Sequence, residues 1–337
     1  MAVLLGDIKI HAAAVAPEDD VATQVGGAPD LAKKHDFSDV EGGYQIVSAS
    51  AADTTQTVTL TYRNFVDEIV EGAPETLTGQ TPVIGAVSIG RIMKAMKSAT
   101  CAGDVALEAR IATREGIAQG AGPGTDTLQL DVDASAVDAA YVGQVVRLTF
   151  GPGTGEIAYG VAYDGTTKVL TVSREWTTPP TSATSFRLAN GLVFDRQPSE
   201  IMSVVRMFYD AFAPSSVQAE RKFYQKILYR HSDQSGSGLS VTNVELSESF
   251  DGAEAEGADI KFDVDDAPNT ASDNGVGNNR QVAPAGYTFD DAAKPVNLGG
   301  SVAPGEYVSV WLELTLAPGQ ADILAVYTPQ FSFSTPL

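Results

Sequence analysis

The stretch GPGTGEIAYGVAYDGTTKVLTVSREWTTPPTSATSFRL, residues 151–188, decides the fold class. Glycine-rich turns alternate with short runs such as Lys168-Val169-Leu170-Thr171-Val172. Tyr163-Asp164-Gly165-Thr166 carries Asp-Gly, a strong hairpin signal because both residues tolerate positive φ. Trp176 is soon followed by Pro179-Pro180, which cannot donate to a ladder. Short strands at intervals of about ten residues describe a compact antiparallel barrel or meander.

Outward from this stretch the pattern stays β. Upstream, Leu128, Leu130 and Val132 alternate, and DAAYVGQVVRLTF (138–150) reads as a turn and a strand. GAGPGTD (120–126) reads as a flexible hinge and Asn190-Gly191 as an exit turn, so residues 116–190 are expected to form a small inserted module. In QTVTLTYRN (56–64), Val58, Leu60 and Tyr62 share one face of a half-buried strand, and Asp7-Ile8-Lys9-Ile10 fits another. Ile89, Ile92, Met93 and Met96 fit a helical stripe weakened by Gly90, giving a short helix near 88–97 or an irregular strand. Met202, Val205, Phe208, Tyr209 and Phe212 predict a second short helix over 199–212, closed by Pro214.

Residues 221–231 read as a strand, with Phe223, Gln225, Ile227 and Tyr229 on one face and Tyr224, Lys226 and Leu228 on the other. From 239 onward the chain is β throughout; in VSVWLELTL (308–316) Val308, Val310, Leu312, Leu314 and Leu316 face one way. The expected fold is mainly β, with two β-sandwich-like domains (1–115 and 191–337) and a small antiparallel barrel or meander module (116–190) between them. Strands apolar on both faces around 198–231 point to a subunit contact there, with burial inside the chain as the alternative.

The 337 residues carry 22 Lys plus Arg against 43 Asp plus Glu, a net charge of −21. Such an excess repels phosphate backbones and anionic lipid, which argues against nucleic acid and membrane surfaces as partners. The opening MAVLLGDIKIH has no basic n-region, and no stretch approaches the roughly 20 apolar residues that span a bilayer. Cys101 is the only cysteine, which excludes an intrachain disulfide, and it reads as a small buried hydrophobe.

Catalytic chemistry finds little footing. His11, His35 and His231 share no metal-ligand spacing, and no Gly-x-Ser-x-Gly elbow is present. Gly151-Pro152-Gly153-Thr154-Gly155 leads into strand residues, so no helix N-terminus follows to receive a phosphate. In the acidic run 251–274, Asp263, Asp265 and Asp266 are candidate calcium ligands, although the spacing is not that of an EF-hand and a solvated loop is the simpler reading. Trp176 and Trp311 are candidate sugar-stacking residues, set against core packing. No catalytic residue, cofactor site or metal site is assigned.

The run TFGPGTGEIAYGVAYDGTTKVLTVSREWTTPPTSATSFRL (149–188) resembles a small β module of tailed-bacteriophage structural proteins. The resemblance rests on Gly153-Thr154-Gly155, the turn from Tyr163 to Lys168, the strand Val169 to Val172, Trp176, and Pro179 to Ser182; Glu156 departs from the usual small or amide residue. DIKIHAAAVAPEDD, ASAADTTQTVTLTYRN, NNRQVAPAGYTFDDAAKPVNLGG and VWLELTLAPG are similar to parts of phage virion proteins. The resemblance implies a virion component, assembled in the host cytoplasm, without fixing its location on the particle; the missing chemistry makes a non-enzymatic part the expectation, and the charge of −21 an exterior position, on the tail, neck or baseplate first. Its implied partners are other virion proteins, copies of itself and a host surface glycan. A capsid decoration or head fibre is the alternative position, and a carbohydrate-binding receptor protein the alternative of another class.

Overall fold

A computed structural model describes residues 7–15, 24–35, 38, 40–66, 68–194, 203–208, 219–233, 237–250, 258–265, 268, 269, 276, 277, 279–295, 301–318 and 327–334. The described residues contain strands and turns but no α-helix. The chain divides into two compact units, one built from Ile8–His35 and Val205–Leu337, the other from Asp36–Val204.

The strands run in chain order. The first two are β1 (Ile8–Val15) and β2 (Val25–Lys34). Next come β3 (Gly42–Ser48), β4 (Thr57–Arg63), β5 (Ile69–Glu71), β6 (Glu75–Thr76), β7 (Val83–Ile89), β8 (Arg91–Lys97) and β9 (Val105–Ala109). A third group is β10 (Arg114–Ile117), β11 (Thr127–Gln129), β12 (Val145–Phe150), β13 (Ile157–Asp164), β14 (Val169–Val172) and β15 (Ser185–Ala189). They are followed by β16 (Gly191–Phe194), β17 (Ser203–Val205), β18 (Arg221–His231), β19 (Val241–Phe250), β20 (Ala258–Val264) and β21 (Val276–Gly277). The last are β22 (Lys294–Pro295), β23 (Ser301–Val302), β24 (Tyr307–Leu316) and β25 (Tyr327–Ser334).

In the first unit, β20, β24, β18, β1 and β2 lie side by side, and β21 adds to β2. Ile227 is opposite both Ala12 and Val310, so the apolar alternation of three strands falls in register on one face. That face, with Ile227, Tyr229, Phe262, Val310 and Leu312, packs on Val241, Val244, Leu246 and Val302 of the sheet formed by β19, β22, β23 and β25. The result is a sandwich. The opposite face carries Tyr224 and Trp311, and residues of the same chain cover it: Tyr287 and Phe289 lie against them with Val25. That covering accounts for the two-sided apolar character of β18 within the chain.

The second unit is another sandwich. Tyr44, Ile46, Leu107, Leu192 and Phe194, from the sheet ordered β16-β9-β3-β7, pack on Val58, Leu60, Tyr62, Ile92 and Ala95 from β4 and β8. Of the two readings of 88–97, the structure takes the irregular strand and not the short helix: these residues are the end of β7 and all of β8. Pairing with β4, from Val58↔Lys97 to Arg63↔Arg91, outweighs the weak helical stripe; Ile92, Ala95 and Lys97 lie opposite Tyr62, Leu60 and Val58, and Met93 is the extra residue of a bulge between them. Of the helix expected at 199–212, residues 203–205 form β17, 206–208 are irregular, and the remainder lies outside the described residues.

The β module is a six-stranded sheet in the order β10-β15-β12-β13-β14-β11. It closes on itself where Gln119 N–H donates to Gln129 O (2.8 Å) and Gln129 N–H to Gly120 O (3.0 Å). The glycines read as a hinge at 120–126 therefore belong to this closure, and Thr127 Oγ1 ties the turn through Ala121 O and Gly124 O, both at 2.8 Å. Inside lie Leu128, Leu148, Leu170, Phe186 and Trp176, whose indole N–H donates to Thr127 O at 3.0 Å. The module sits between β9 and β16, which pair with each other, so it is inserted into a hairpin of the second unit. The strand pairing thus departs from the three-part division expected along the chain. Ile8–His35 joins the C-terminal sandwich through β18, and residues 191–194 join the sheet of β9. Both departures come from antiparallel partners that are remote in sequence.

Candidate functional site

The most organised polar cluster holds the module on its sheet. Alternation along β9 buries Leu107 in the sandwich and turns Ala106 and Glu108 to the other face. Glu108 is opposite Gln45 on one side and Gly191 on the other. On the barrel, Arg147, Arg187 and Glu115 form one cross-strand row of outward side chains.

Both guanidinium groups reach the fully buried Glu108. Arg147 Nη2 donates to Oε1 at 2.8 Å and its Nε at 3.2 Å, Arg187 Nε donates at 3.1 Å, and Gln45 Nε2 donates to the same oxygen at 2.5 Å. Arg187 also donates to Ala109 O (2.8 Å) and Arg110 O (2.9 Å) and pairs with the exposed Glu115. Two arginines and two carboxylates balance, which is what makes such burial tolerable. Around the charges lies an apolar layer of Val47, Ala106 and Val193 from the sheet with Val145, Ile157 and Tyr159 from the barrel. The Tyr159 hydroxyl accepts from Val193 N–H at 2.5 Å. Arg174 pairs with Asp104 at 2.5 Å beside the same layer.

Chemically this is a clasp. Its Oε1 takes donors from Arg147, Arg187 and Gln45, so the carboxylate is occupied in holding the two substructures together. None of its members is signalled locally: Glu108, Arg147 and Arg187 stand on separate strands, and each reads alone as a charge on a half-exposed strand.

The residues singled out by sequence fall elsewhere. Trp176 fills the barrel core and Trp311 lies buried beneath Tyr287, so neither offers a free ring face to a sugar. Asp263 accepts from Thr288 N–H at 2.6 Å and pairs with Lys294 at 3.3 Å, while Asp265 accepts from the Tyr287 hydroxyl at 3.0 Å. These two carboxylates tie residues 287–294 down on β20; Asp266 lies outside the described residues. Among the described residues no three His, Cys, Asp or Glu side chains gather where a metal ion would fit.

The histidines are apart. His11 Nδ1 lies 3.2 Å from Lys33 O and His231 Nε2 lies 2.8 Å from Leu239 O. His35 is enclosed, its Nδ1 2.6 Å from Val205 O and its Nε2 3.1 Å from the Gln225 amide. A carbonyl at Nδ1 requires a proton there, which leaves Nε2 to accept from the Gln225 amide in a neutral ring. Burial pulls the His35 pKa down to about 4, against the opposing bond to Val205. Burial pushes the Cys101 thiol up to about 11, with Lys97 working against that shift. On the covered face of the first unit, Glu313 accepts from Lys222 Nζ (2.8 Å) and the Tyr224 hydroxyl (2.7 Å). Burial works to raise its pKa, and those two bonds hold it below the usual carboxylate range.

The barrel exterior also carries an open groove of about 700 Å3, lined by Gly122, Gln129, Ala162, Asp164, Val169 and Thr171. Asp164 is engaged there with the amides of Thr166 (2.7 Å) and Thr167 (3.0 Å).

Fold and site together define a mainly β protein in which a closed barrel is clamped to a sandwich by buried charge. No family model, curated protein or solved structure matches the chain.

Proposed function

We propose that this protein is a non-enzymatic structural component of a tailed-bacteriophage particle, on the exterior of the tail, neck or baseplate. The observation that carries the reading is the fate of residues 149–188. The stretch that resembles a phage virion module supplies β13, β14 and most of β15 of a closed barrel, and that barrel is clasped to its sandwich through Glu108, Arg147 and Arg187. A rigid display element of this kind suits a surface part present in many copies, where weak contacts sum. Two exposed apolar residues, Ile117 (60% exposed) and Phe150 (71%), lie opposite Ser185 in one outward row of the barrel, available to a neighbouring virion protein. The charge of −21 favours the outside of the particle over a position against packaged DNA. Capsid decoration is the other exterior position with the same requirements.

Quantitative mass spectrometry of purified particles tests the reading. The protein is expected at many copies per particle, at a fixed ratio to a known tail or head component. Its absence from purified particles overturns the proposal.

A further inference from the structure

All three histidines of the chain fall in the first unit, and residues 36–204 carry none. His35 stands where the chain leaves that unit and Val205 where it re-enters. The imidazole joins the two, with Nδ1 2.6 Å from Val205 O and Nε2 3.1 Å from Gln225 Nε2. Gln225 Oε1 in turn accepts from the Phe208 N–H. The His35 ring and the Gln225 side chain, both buried, thus bracket residues 205–208 from either end.

The protons of this chain can be arranged in one way. A backbone carbonyl can only accept and a backbone amide can only donate, so Val205 O takes the Nδ1 proton and Phe208 N–H takes Gln225 Oε1. The Gln225 amide nitrogen then faces His35 Nε2, which must be bare. A second proton can enter only at that nitrogen, where it meets an N–H. Turning the Gln225 amide gives the new proton an oxygen, but it points the amide nitrogen at the Phe208 N–H. In either arrangement one bond is lost, and the charge-assisted bond to the imidazolium is the stronger one.

Phe208 is the residue that loses its partner. Its φ of 50° lies in the left-handed region, where a bulky side chain is disfavoured, and the Gln225 bond holds it there. Met207 and Phe208 pack against the sandwich core around Ile227 and Val310. Releasing the amide therefore loosens a strained turn together with the apolar contacts that it positions.

We propose that His35, Gln225 and Phe208 form an acid-released catch: protonation of His35 at Nε2 turns the Gln225 amide, frees the Phe208 N–H and lets residues 205–208 come away from the core of the first unit. The charge acting on the ring is that of Lys33 on its own strand, which works with burial against protonation. Lys34 follows on β2, opposite His11 of β1. Arg206 lies between the two residues that the catch holds, and on β18 Gln225 is flanked by Tyr224 and by Lys226, whose Nζ donates to Gly27 O at 3.3 Å. These surroundings keep the catch shut at neutral pH. Held, the ring has a pKa of about 4; released, it returns towards the ordinary 6.5, so acid favours the released form between those values. This inference is independent of the phage reading.

The test is hydrogen exchange of the full-length chain between pH 7 and pH 4, corrected for intrinsic exchange rates. Protection of the Phe208 amide is expected to fall by about tenfold per pH unit between pH 6 and pH 4, the slope for uptake of one proton, while β18 stays protected. His35→Gln, which takes up no proton there, should remove that slope. Nitrogen NMR of the histidine-labelled wild type needs no variant: His35 is expected as the Nδ1–H tautomer at pH 7, and the Phe208 amide shift should move with its titration. Protection of Phe208 that is flat with pH, an equal fall in a folded His35→Gln, an Nε2–H tautomer, or loss of protection along all of β18 at the same pH overturns the proposal.

Discussion

Glu108 shows how one residue on an alternating strand can hold two substructures together. Its carboxylate is fully buried, and removing it takes the shared acceptor from Arg147 and from Arg187 Nε, leaving Arg187 its bonds to Ala109 O, Arg110 O and Glu115. We predict that Glu108→Ala destabilises the second unit by about 3–5 kcal/mol, the range for breaking one side of a buried ion pair. Urea denaturation measures this, and a loss near zero would mean that the apolar layer alone carries the docking. The triple change Glu108→Leu, Arg147→Leu, Arg187→Met should recover most of the loss, because it removes charge and partner together.

His35 supplies a pH dependence of definite sign. Its folded pKa of about 4 lies below the unfolded value near 6.5, so between those pH values the unfolded chain binds more protons than the native one. Stability is therefore full above pH 6.5 and falls as pH drops towards 4, by up to about 3 kcal/mol from this one group. His35→Gln should flatten that part of the urea-midpoint profile relative to wild type. An unchanged slope would show that other groups produce it.

At the scale of elements, the Asp164-Gly165 hairpin shows which glycine property matters. The residue with positive φ in this turn is Lys168 (61°), whose N–H donates to Asp164 O at 2.9 Å. Gly165 is required for a different reason: a Cβ there would lie 2.3 Å from Ala136 O. Gly165→Ala should thus destabilise the barrel more than Lys168→Gly, which relieves left-handed strain but gives up the bonds from Lys168 Nζ to Gly165 O (2.7 Å) and Ser135 O (3.1 Å). Thermal melts rank the two variants, and a reversed order would contradict the geometry.

The same elements explain what is legible in the sequence. The barrel strands, β4, β18 and β24 announce themselves because β-branched and aromatic residues alternate there over several positions. The segment 88–97 misleads because Ile92 and Met93 are both buried, a doublet that mimics a helix until the pairing with β4 is known. The clasp stays hidden for another reason. Glu108, Arg147 and Arg187 meet only after β9, β12 and β15 take their places, and no spacing rule links residues brought together by tertiary pairing.

For the molecule as a whole, the barrel has a core of its own and closes its own hydrogen bonds, and its entry and exit lie beside paired strands. Residues 112–190 expressed alone should therefore fold cooperatively, with near-ultraviolet dichroism from the buried Trp176; a non-cooperative melt would show that the clasp is needed for folding. The central proposal for the intact protein is a position on the outside of a phage particle. Electron cryomicroscopy of that particle, at a resolution that traces strands, is the most direct measurement. We expect surface density, repeated with the particle's symmetry, into which the barrel clamped to its sandwich fits as one body and the second sandwich fits separately. Density confined to the interior against packaged DNA, or no density that either unit fits, would contradict it.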